Sequence, residues 1–550
     1  MDKNKLLIII IAVVFFMPFL GAVHLFDWDE INFAEIAREM VITGDYLRPQ
    51  IDYVTFTEKP PMFMWMQAAS MNVFGMNEYA ARFPNTIAGI FTLLLLYVAG
   101  TKLYNYKFGL LWAGAYFGSI LPHLYFRSGI IDPWFNLFIF LGLYQLILYY
   151  WKKERDPNFK FSKSKYSYLI LAGVFTGLGI LVKGPVAFLI VSLVLGVYWI
   201  FKKFKFYLNI FDYTVFTLVT VLTASIWFGA VSLMYGPQFA IEFTIRQWEL
   251  FSQQDAGHGG FMGYHFVVLL IGVFPASIFM IRSMGSVTNG YPHQNDMRKW
   301  MLMLFWVVLI LFTIVSTKII HYSSLAYFPM SYLAALVIYH IENKVIKFSL
   351  WMKIALGFIA IVFGSAVIVL PWLGMNIEIL KPLMAADLFA VANLDAQVPW
   401  TGLESIPGVW LIAITFIGIY FLSKGKTMKG AIWLFGGTGM FVFLTLTLVI
   451  TKIEAITQNA AIEFYETKQD CDCYVVSEEY KSYAQLFYTK IEPGMNEKRH
   501  DMNWLKTGEI DKDVFFVAKI NGTQYLEKLE DVVLLYEKNG FTFWQRKAKK

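Results

Sequence analysis

Charge is scarce in this chain: Asp, Glu, Lys and Arg make up 16% of its 550 residues, against 57% apolar residues. A soluble domain carries about 25% charged residues, so the composition excludes a water-soluble globule of this length and points to a bilayer. Cysteine is almost missing. Cys471 and Cys473, one residue apart, fit neither a zinc-ligand spacing nor a C-x-x-C redox pair, which leaves incidental thiols or a local disulfide. No small-residue cleavage site follows the apolar stretch 6–23, so it reads as a first membrane helix and not a removed leader. The net charge of +6 comes without a basic stripe interleaved with aromatics, and nucleic acid is excluded as a partner.

What the chain has in quantity is apolar runs. A helix needs about 20 apolar residues to span a bilayer, and runs of that order lie near 6–24, 83–103, 109–126, 133–151, 166–182, 185–201, 211–235, 265–283, 300–316, 322–341, 351–372, 406–423 and 431–450. These give about thirteen spans by that criterion and a mainly α, polytopic helix bundle over 1–450. With a cytoplasmic N-terminus, the segments holding Lys152, Lys153 and Arg155, then Lys202, Lys203 and Lys205, then Lys424, Lys426 and Lys429 all fall inside, the positive-inside pattern. Residues 451–550 then lie outside, and their polar character with short apolar runs reads as a small extracytoplasmic α/β domain. Two further outer segments, 25–81 and 236–264, are too long to be simple connectors and are expected to carry function.

This topology leaves few cations on the outer side: Arg38, Arg48, Lys59, Arg82, Arg127, Lys183, Arg246, Lys318 and Lys381, apart from the tail. Several sit at helix ends, with Lys59 in Glu58-Lys59-Pro60-Pro61, Lys183 before Gly184-Pro185, and Lys318 after Ser316-Thr317. Gathered in one outer cavity they suit a phosphate at membrane depth, because Lys and Arg give its oxygens charge-assisted hydrogen bonds; taken singly, each also fits a side chain snorkelling to headgroups. Carboxylates cluster on the same side, namely Asp27, Asp29, Glu30, Glu35, Glu39 and Asp132. A carboxylate is the general base that an attacking hydroxyl or amine needs; Asp29 is the first candidate and Glu30 the second. Glu35 and Glu39 share helical spacing and read as the solvated face of a helix.

Asp29-Glu30, Glu35-Ile36-Ala37-Arg38-Glu39-Met40, Gly44-Asp45-Tyr46, Lys59-Pro60-Pro61, Phe74-Gly75 and Ala81-Arg82-Phe83-Pro84 occur in one order, followed by Asp132-Pro133, Lys183-Gly184-Pro185, and Lys318 with Tyr322 and Pro329. Across about the first 340 residues this series resembles the lipid A aminoarabinose transferases and the protein O-mannosyltransferases. The resemblance implies a class C glycosyltransferase fold, whose first outer loop forms membrane-parallel helices with the active site between loop and bundle. It implies that Asp29 acts near the acceptor and that Lys59 contacts the lipid phosphate, with Asp132 and Lys318 lining the cavity. The family often has an Arg-Phe pair in the later outer loop; this chain reads Arg246-Gln247-Trp248-Glu249-Leu250-Phe251, and Arg246 is the nearest counterpart. His258, among the glycines of Gly257-His258-Gly259-Gly260, is a candidate for touching phosphate or sugar, or an ordinary loop histidine.

The expectation is therefore an inner-membrane enzyme that moves a sugar from a polyprenyl-phosphate carrier to a lipid, glycan or protein acceptor. Its site draws on Asp29, Glu30 and Asp132 as catalytic groups. Glu58, Lys59, Arg82, Arg127, Lys183, Arg246, His258, Lys318 and Tyr322 would bind the lipid phosphate and substrate. No cofactor is required; Asp27 and Asp29 form a D-x-D of the kind that binds a divalent metal in many glycosyltransferases, but no His or third carboxylate is tied to it. A lipid flippase or transporter is the alternative reading, and it predicts inverted repeats with charge at mid-span. A membrane anchor for the tail domain is a third reading, and it leaves the outer motifs unexplained.

Overall fold

The computed structural model describes residues 2–252, 259–287 and 290–548. Each apolar run read from the sequence contains helix. Among the described residues nine helices are long and apolar enough to cross a membrane, or ten if the bent pair Tyr264–Gly272 and Ala276–Ser283 counts as one span. The remaining runs are shorter as helices: Lys3–Phe16 has 14 residues, Tyr106–Phe117 has 12 and Val186–Phe201 has 16. At 1.5 Å per residue these reach only about 18–24 Å. Apolar length overstates helix length where a break intervenes, as at Gly118-Ser119 and before Pro275, where the two halves of the pair meet at 116°.

Capping residues set the starts of the long helices. Asn77, Asn105, Ser164 and Asn209 each accept a backbone N–H of the first turn, which would otherwise go unpaired. The helices Asp132–Lys153, Lys165–Lys183 and Ile210–Tyr235 pack side by side, and Ile320–Glu342 is the most enclosed candidate span. Helix Asp132–Lys153 runs from an acidic end to a basic one. Beside its basic end Lys153 donates to Tyr207 O and Lys202 lies over the Tyr150 ring, so two of the Lys-rich connectors lie together at this end of the bundle.

At the opposite end lies the first long connector. It forms helix Asp29–Thr43, ended by Gly44 in the left-handed conformation, then a short antiparallel pair, β1 (Gln50–Ile51) and β2 (Val54–Thr55), then helix Met62–Phe74. The second connector forms helix Gln238–Ser252.

The tail folds over this end. After helices Ile450–Thr457 and Asn459–Glu466 comes a four-stranded sheet of β3 (Tyr474–Glu478), β4 (Val514–Lys519), β5 (Val532–Lys538) and β6 (Phe541–Arg546), in the order β3-β4-β6-β5. The runs 514–517 and 532–536 picked out by composition are strands. β3 and β4 are parallel, joined by a helical crossover, and the other pairs are antiparallel. Asn539 and Gly540, both at positive φ, make the tight turn between β5 and β6. Phe464, Phe487, Phe515 and Phe543 belong to the same continuous buried cluster as the bundle residues Phe16 and Phe126. The candidate span Thr427–Thr457 runs on through Ile450 into the first helix of the tail. Cys471 and Cys473 form a disulfide.

Candidate active site

A cavity of about 630 Å³ opens where helix Asp29–Thr43 begins. Its polar wall is Asp27, Asp29, Glu30, Arg82, Arg127, Lys318 and His321; its apolar wall includes Phe19, Leu20, Leu121, Leu124, Leu446 and Ile450. Asp29 is in the first turn of its helix, where the backbone N–H groups favour a negative charge. Its Oδ2 lies 3.5 Å from His321 Nε2. His321 is also within the electrostatic field of Asp132, Lys183 and Lys59. Sequence reasoning singled out its neighbour Tyr322 and passed over His321, because one histidine beside a tyrosine offers no spacing to read; its place three residues after Lys318, at a helix end, was the available signal.

Outside the residues that line this cavity, but within the electrostatic reach of Asp29, is a group of cations. Lys59, in the bend that Pro60 and Pro61 impose before helix Met62–Phe74, is partly buried and makes no hydrogen bond or ion pair among the described residues. Burial holds its ammonium below the usual lysine range; Glu58 and Asp29 pull the other way, and the positive charges of Lys183 and Arg246 reinforce the burial. Arg246 reaches Glu58 at 2.9 Å, and Gln247 donates to Glu58 O at 3.0 Å. Lys183 pairs with Asp132 Oδ1 at 2.7 Å and lies over the rings of Tyr322 and Phe135. Asp132 is almost fully buried, and its other oxygen, Oδ2, has no hydrogen-bond partner. Gly184 lets helix Gln238–Ser252 pack closely against this helix end. It ends helix Lys165–Lys183 at φ +102°, and a Cβ there would come within 3.1 Å of Phe243 and 3.3 Å of Gln247 on the helix that carries Arg246.

Other residues expected to meet a phosphate are engaged differently. Arg82 grips Glu30 with two hydrogen bonds (3.1 and 2.8 Å) and donates to the carbonyls of Leu20, Val23 and His24. Burial pushes the Glu30 carboxyl up, but the Arg82 charge and the N–H groups of Gly129 and Phe26 hold it below its ordinary range. Glu30 is thus a structural anchor of the loop, charged and fully bonded, and a poor proton acceptor. Arg127 donates to Phe15 O and Pro18 O at the end of the first helix. The Lys318 ammonium donates to Phe312 O, Thr313 O and Val315 O, closing the end of helix Pro292–Ile314. His258 lies outside the described residues.

Glu35 and Glu39 correct the solvated-face expectation, being 0% and 1% exposed. Glu35 forms a two-bond pair with Arg38, both at 2.7 Å, and Glu39 accepts the N–H groups of Asp52 and Tyr53 at 2.6 and 2.9 Å. The tail domain covers this face: Arg38 and Tyr53 both donate to Ile491 O. The two carboxylates of the D-x-D are engaged in different directions, Asp27 toward Ser482 and Asp29 toward His321. Among the described residues no group of three His, Cys, Asp or Glu side chains is spaced to hold a metal.

Residues 58–227 match the family model of dolichyl-phosphate-mannose-protein mannosyltransferases. An undecaprenyl phosphate-alpha-4-amino-4-deoxy-L-arabinose arabinosyl transferase of Pectobacterium carotovorum is 23% identical over 489 residues, covering 87% of this chain and 81% of that protein. The enzyme of the same name from Aeromonas hydrophila is 25% identical over 343 residues, 61% of this chain and 60% of that one. Among solved structures, ArnT from Cupriavidus metallidurans bound to undecaprenyl phosphate superposes with a TM-score of 0.77 at 16% identity, covering 98% of this chain and 97% of that one, and its apo form gives 0.75. In sequence over most of its length and in fold over nearly all of it, the chain resembles the aminoarabinose transferases among the class C membrane glycosyltransferases.

Proposed function

We propose that this protein is a multi-pass membrane glycosyltransferase that moves a glycosyl group from a polyprenyl-phosphate-linked sugar to an acceptor at the outer membrane face. The observation that carries the reading is the juxtaposition of a carboxylate in a cavity, Asp29, with an unbonded buried-edge cation, Lys59, flanked by Lys183 and Arg246. The first fits a nucleophile's proton and the second a leaving phosphate.

In this reading the acceptor oxygen or nitrogen attacks the anomeric carbon while its proton passes to Asp29, and the bond from that carbon to the phosphate oxygen breaks, with inversion. The departing polyprenyl phosphate takes the bonding electrons. Lys59 and its neighbours face the charge that grows on the phosphate, and help of that kind lowers the barrier because it strengthens toward the transition state. His321 orients Asp29. Lys183, neutralised by Asp132, shapes the site, and the open Asp132 Oδ2 suits a sugar hydroxyl or amine. Arg82, Arg127 and Lys318 hold the frame. In this reading the N-terminus is cytoplasmic and the tail outside, which the position of Lys-rich connectors at the end away from Asp29 supports. The relatives' donor, undecaprenyl-phosphate aminoarabinose, is the first donor to test, and a lipid is the first acceptor.

The test is transfer from a panel of labelled polyprenyl-phosphate sugars to lipid, glycan and peptide acceptors by the purified protein, beside Asp29→Asn and Lys59→Ala. Transfer by the parent protein, lost in both variants, is expected. No transfer from any donor, with labelled carrier crossing the bilayer of proteoliposomes, would replace the reading with a flippase.

A further inference from the structure

The segment that delivers Asp29 to the cavity, Leu25 to Asp29, is held from the side of the C-terminal domain. Leu25 N donates to the Tyr488 hydroxyl at 2.8 Å, and Gln458 Nε2 donates to Leu25 O at 3.1 Å. Two residues before Asp29, Ser482 Oγ donates to Asp27 Oδ2 at 2.5 Å. The ammonium of Lys481 lies 5.2 Å from the Trp28 ring centroid, a cation over an aromatic face. From the bundle side, Phe26 N donates to Glu30, which Arg82 fixes. Asp27, Trp28 and Asp29 line the cavity between these two anchorages.

Ser482 is the residue whose side chain hydrogen-bonds the acidic turn, beside the Tyr483 N–H on Asp27 and Lys481 over Trp28. It is 5% exposed, and its oxygen already accepts the N–H of Ala484 at 3.1 Å. That bond fixes the hydroxyl and leaves its proton for Asp27. The contact spans 455 positions of the chain, so local turn preference does not account for it.

We propose that Ser482 is a positioning residue for the transfer reaction: by holding the Asp27 carboxylate it sets where the Asp29 carboxylate stands in the cavity, which makes the C-terminal domain a part of the active site. The inference rests on the glycosyl-transfer reading above. Its physical basis is that a misplacement of about 1 Å of a reacting group costs on the order of 100-fold in rate, and Asp29 is tied to Asp27 through only two peptide units.

The experiment compares full-length parent protein, Ser482→Ala, Ser482→Thr, Asp27→Ala, the Ser482→Ala/Asp27→Ala double variant and Lys538→Ala in the transfer assay, reading kcat and donor KM separately. Lys538 pairs with Glu463 on the domain's exposed side and serves as the unaffected control. Ser482→Ala is expected to lower kcat roughly 10- to 100-fold with donor KM within about two-fold, Ser482→Thr to restore most of the rate, and the double variant to be no worse than Asp27→Ala, which already removes the Ser482 bond along with the Tyr483 N–H contact. Asp27→Ala leaves the domain's interior untouched and carries the test if Ser482→Ala fails to fold. Parent-level kcat in Ser482→Ala or Asp27→Ala, or losses that multiply in the double variant, would overturn the positioning role. An inactive parent protein would overturn the transfer reading itself, and this inference with it.

Discussion

At the scale of single residues, the cations divide into those with bonds to spare and those without. Lys59→Ala is expected to lower kcat by about 10²- to 10³-fold, the usual cost of removing one donor aimed at developing charge. Because burial depresses the Lys59 pKa, the free protein loses this proton at a lower pH than a solvent lysine would; donor KM should therefore rise on the alkaline side earlier than for an exposed lysine. Lys59→Arg, which stays protonated, should abolish that limb of the KM profile whatever it does to kcat. Asp132→Ala strands the Lys183 charge in a buried setting and should cost about 3–5 kcal/mol, seen as a fall in the thermal midpoint of the detergent-solubilised protein. Asp132→Ala/Lys183→Met should recover much of it. The bend that carries Lys59 was legible from sequence because the prolines of Glu58-Lys59-Pro60-Pro61 define the local geometry. The carbonyl partners of Arg82, Arg127 and Lys318 were not legible, since a charge in a sequence does not disclose which carbonyls will surround it.

Among the elements, helix Asp29–Thr43 shows where periodicity stops informing. The spacing of Glu35 and Glu39 puts them on one face, as read, but not what covers it, which is Ile491 and its neighbours far along the chain. Burial, with the adjacent Glu35 charge adding to it, pushes the Glu39 carboxyl up to about 9. The folded protein then holds a proton that the unfolded chain releases near pH 4.5, and the stability this confers is present below pH 4.5 and lost as pH rises through 9. The thermal midpoint should fall between pH 5 and 9, and Glu39→Gln, uncharged at every pH, should flatten that slope. The apolar runs were legible as helices for a simpler reason, since a bilayer leaves the backbone few other ways to pair its polar groups. The bend at residues 272–276 was hidden because it depends on how neighbouring helices pack.

For the whole molecule, the distribution of Lys and Arg is the sequence feature that predicts which end faces which side. A membrane-impermeant maleimide applied to intact cells is expected to label Lys498→Cys in the tail domain and to spare Lys163→Cys in a basic connector until the membrane is opened; both positions are exposed, and the two native cysteines are joined in a disulfide. Labels in the reverse pattern would invert the topology. The helical architecture was readable because span length is summed over many residues. The docking of the tail onto the first connector was not, because it rests on a few contacts, such as Ser482 with Asp27 and Arg499 with Asp52, between segments that nothing in the sequence pairs.

That long-range docking also has a consequence in time. Ribosomes add roughly 5–20 residues per second, and 455 positions separate Asp27 from Ser482. The connector bearing Asp29 is therefore made roughly 20 to 90 seconds before the serine that secures it. During that interval a nascent chain threaded into the bilayer carries Asp27 and Asp29 without the Ser482 contact, and the cavity walls at Lys318, His321 and Ile450 also follow later; the acidic turn gains its full set of contacts only after residue 482 has been made.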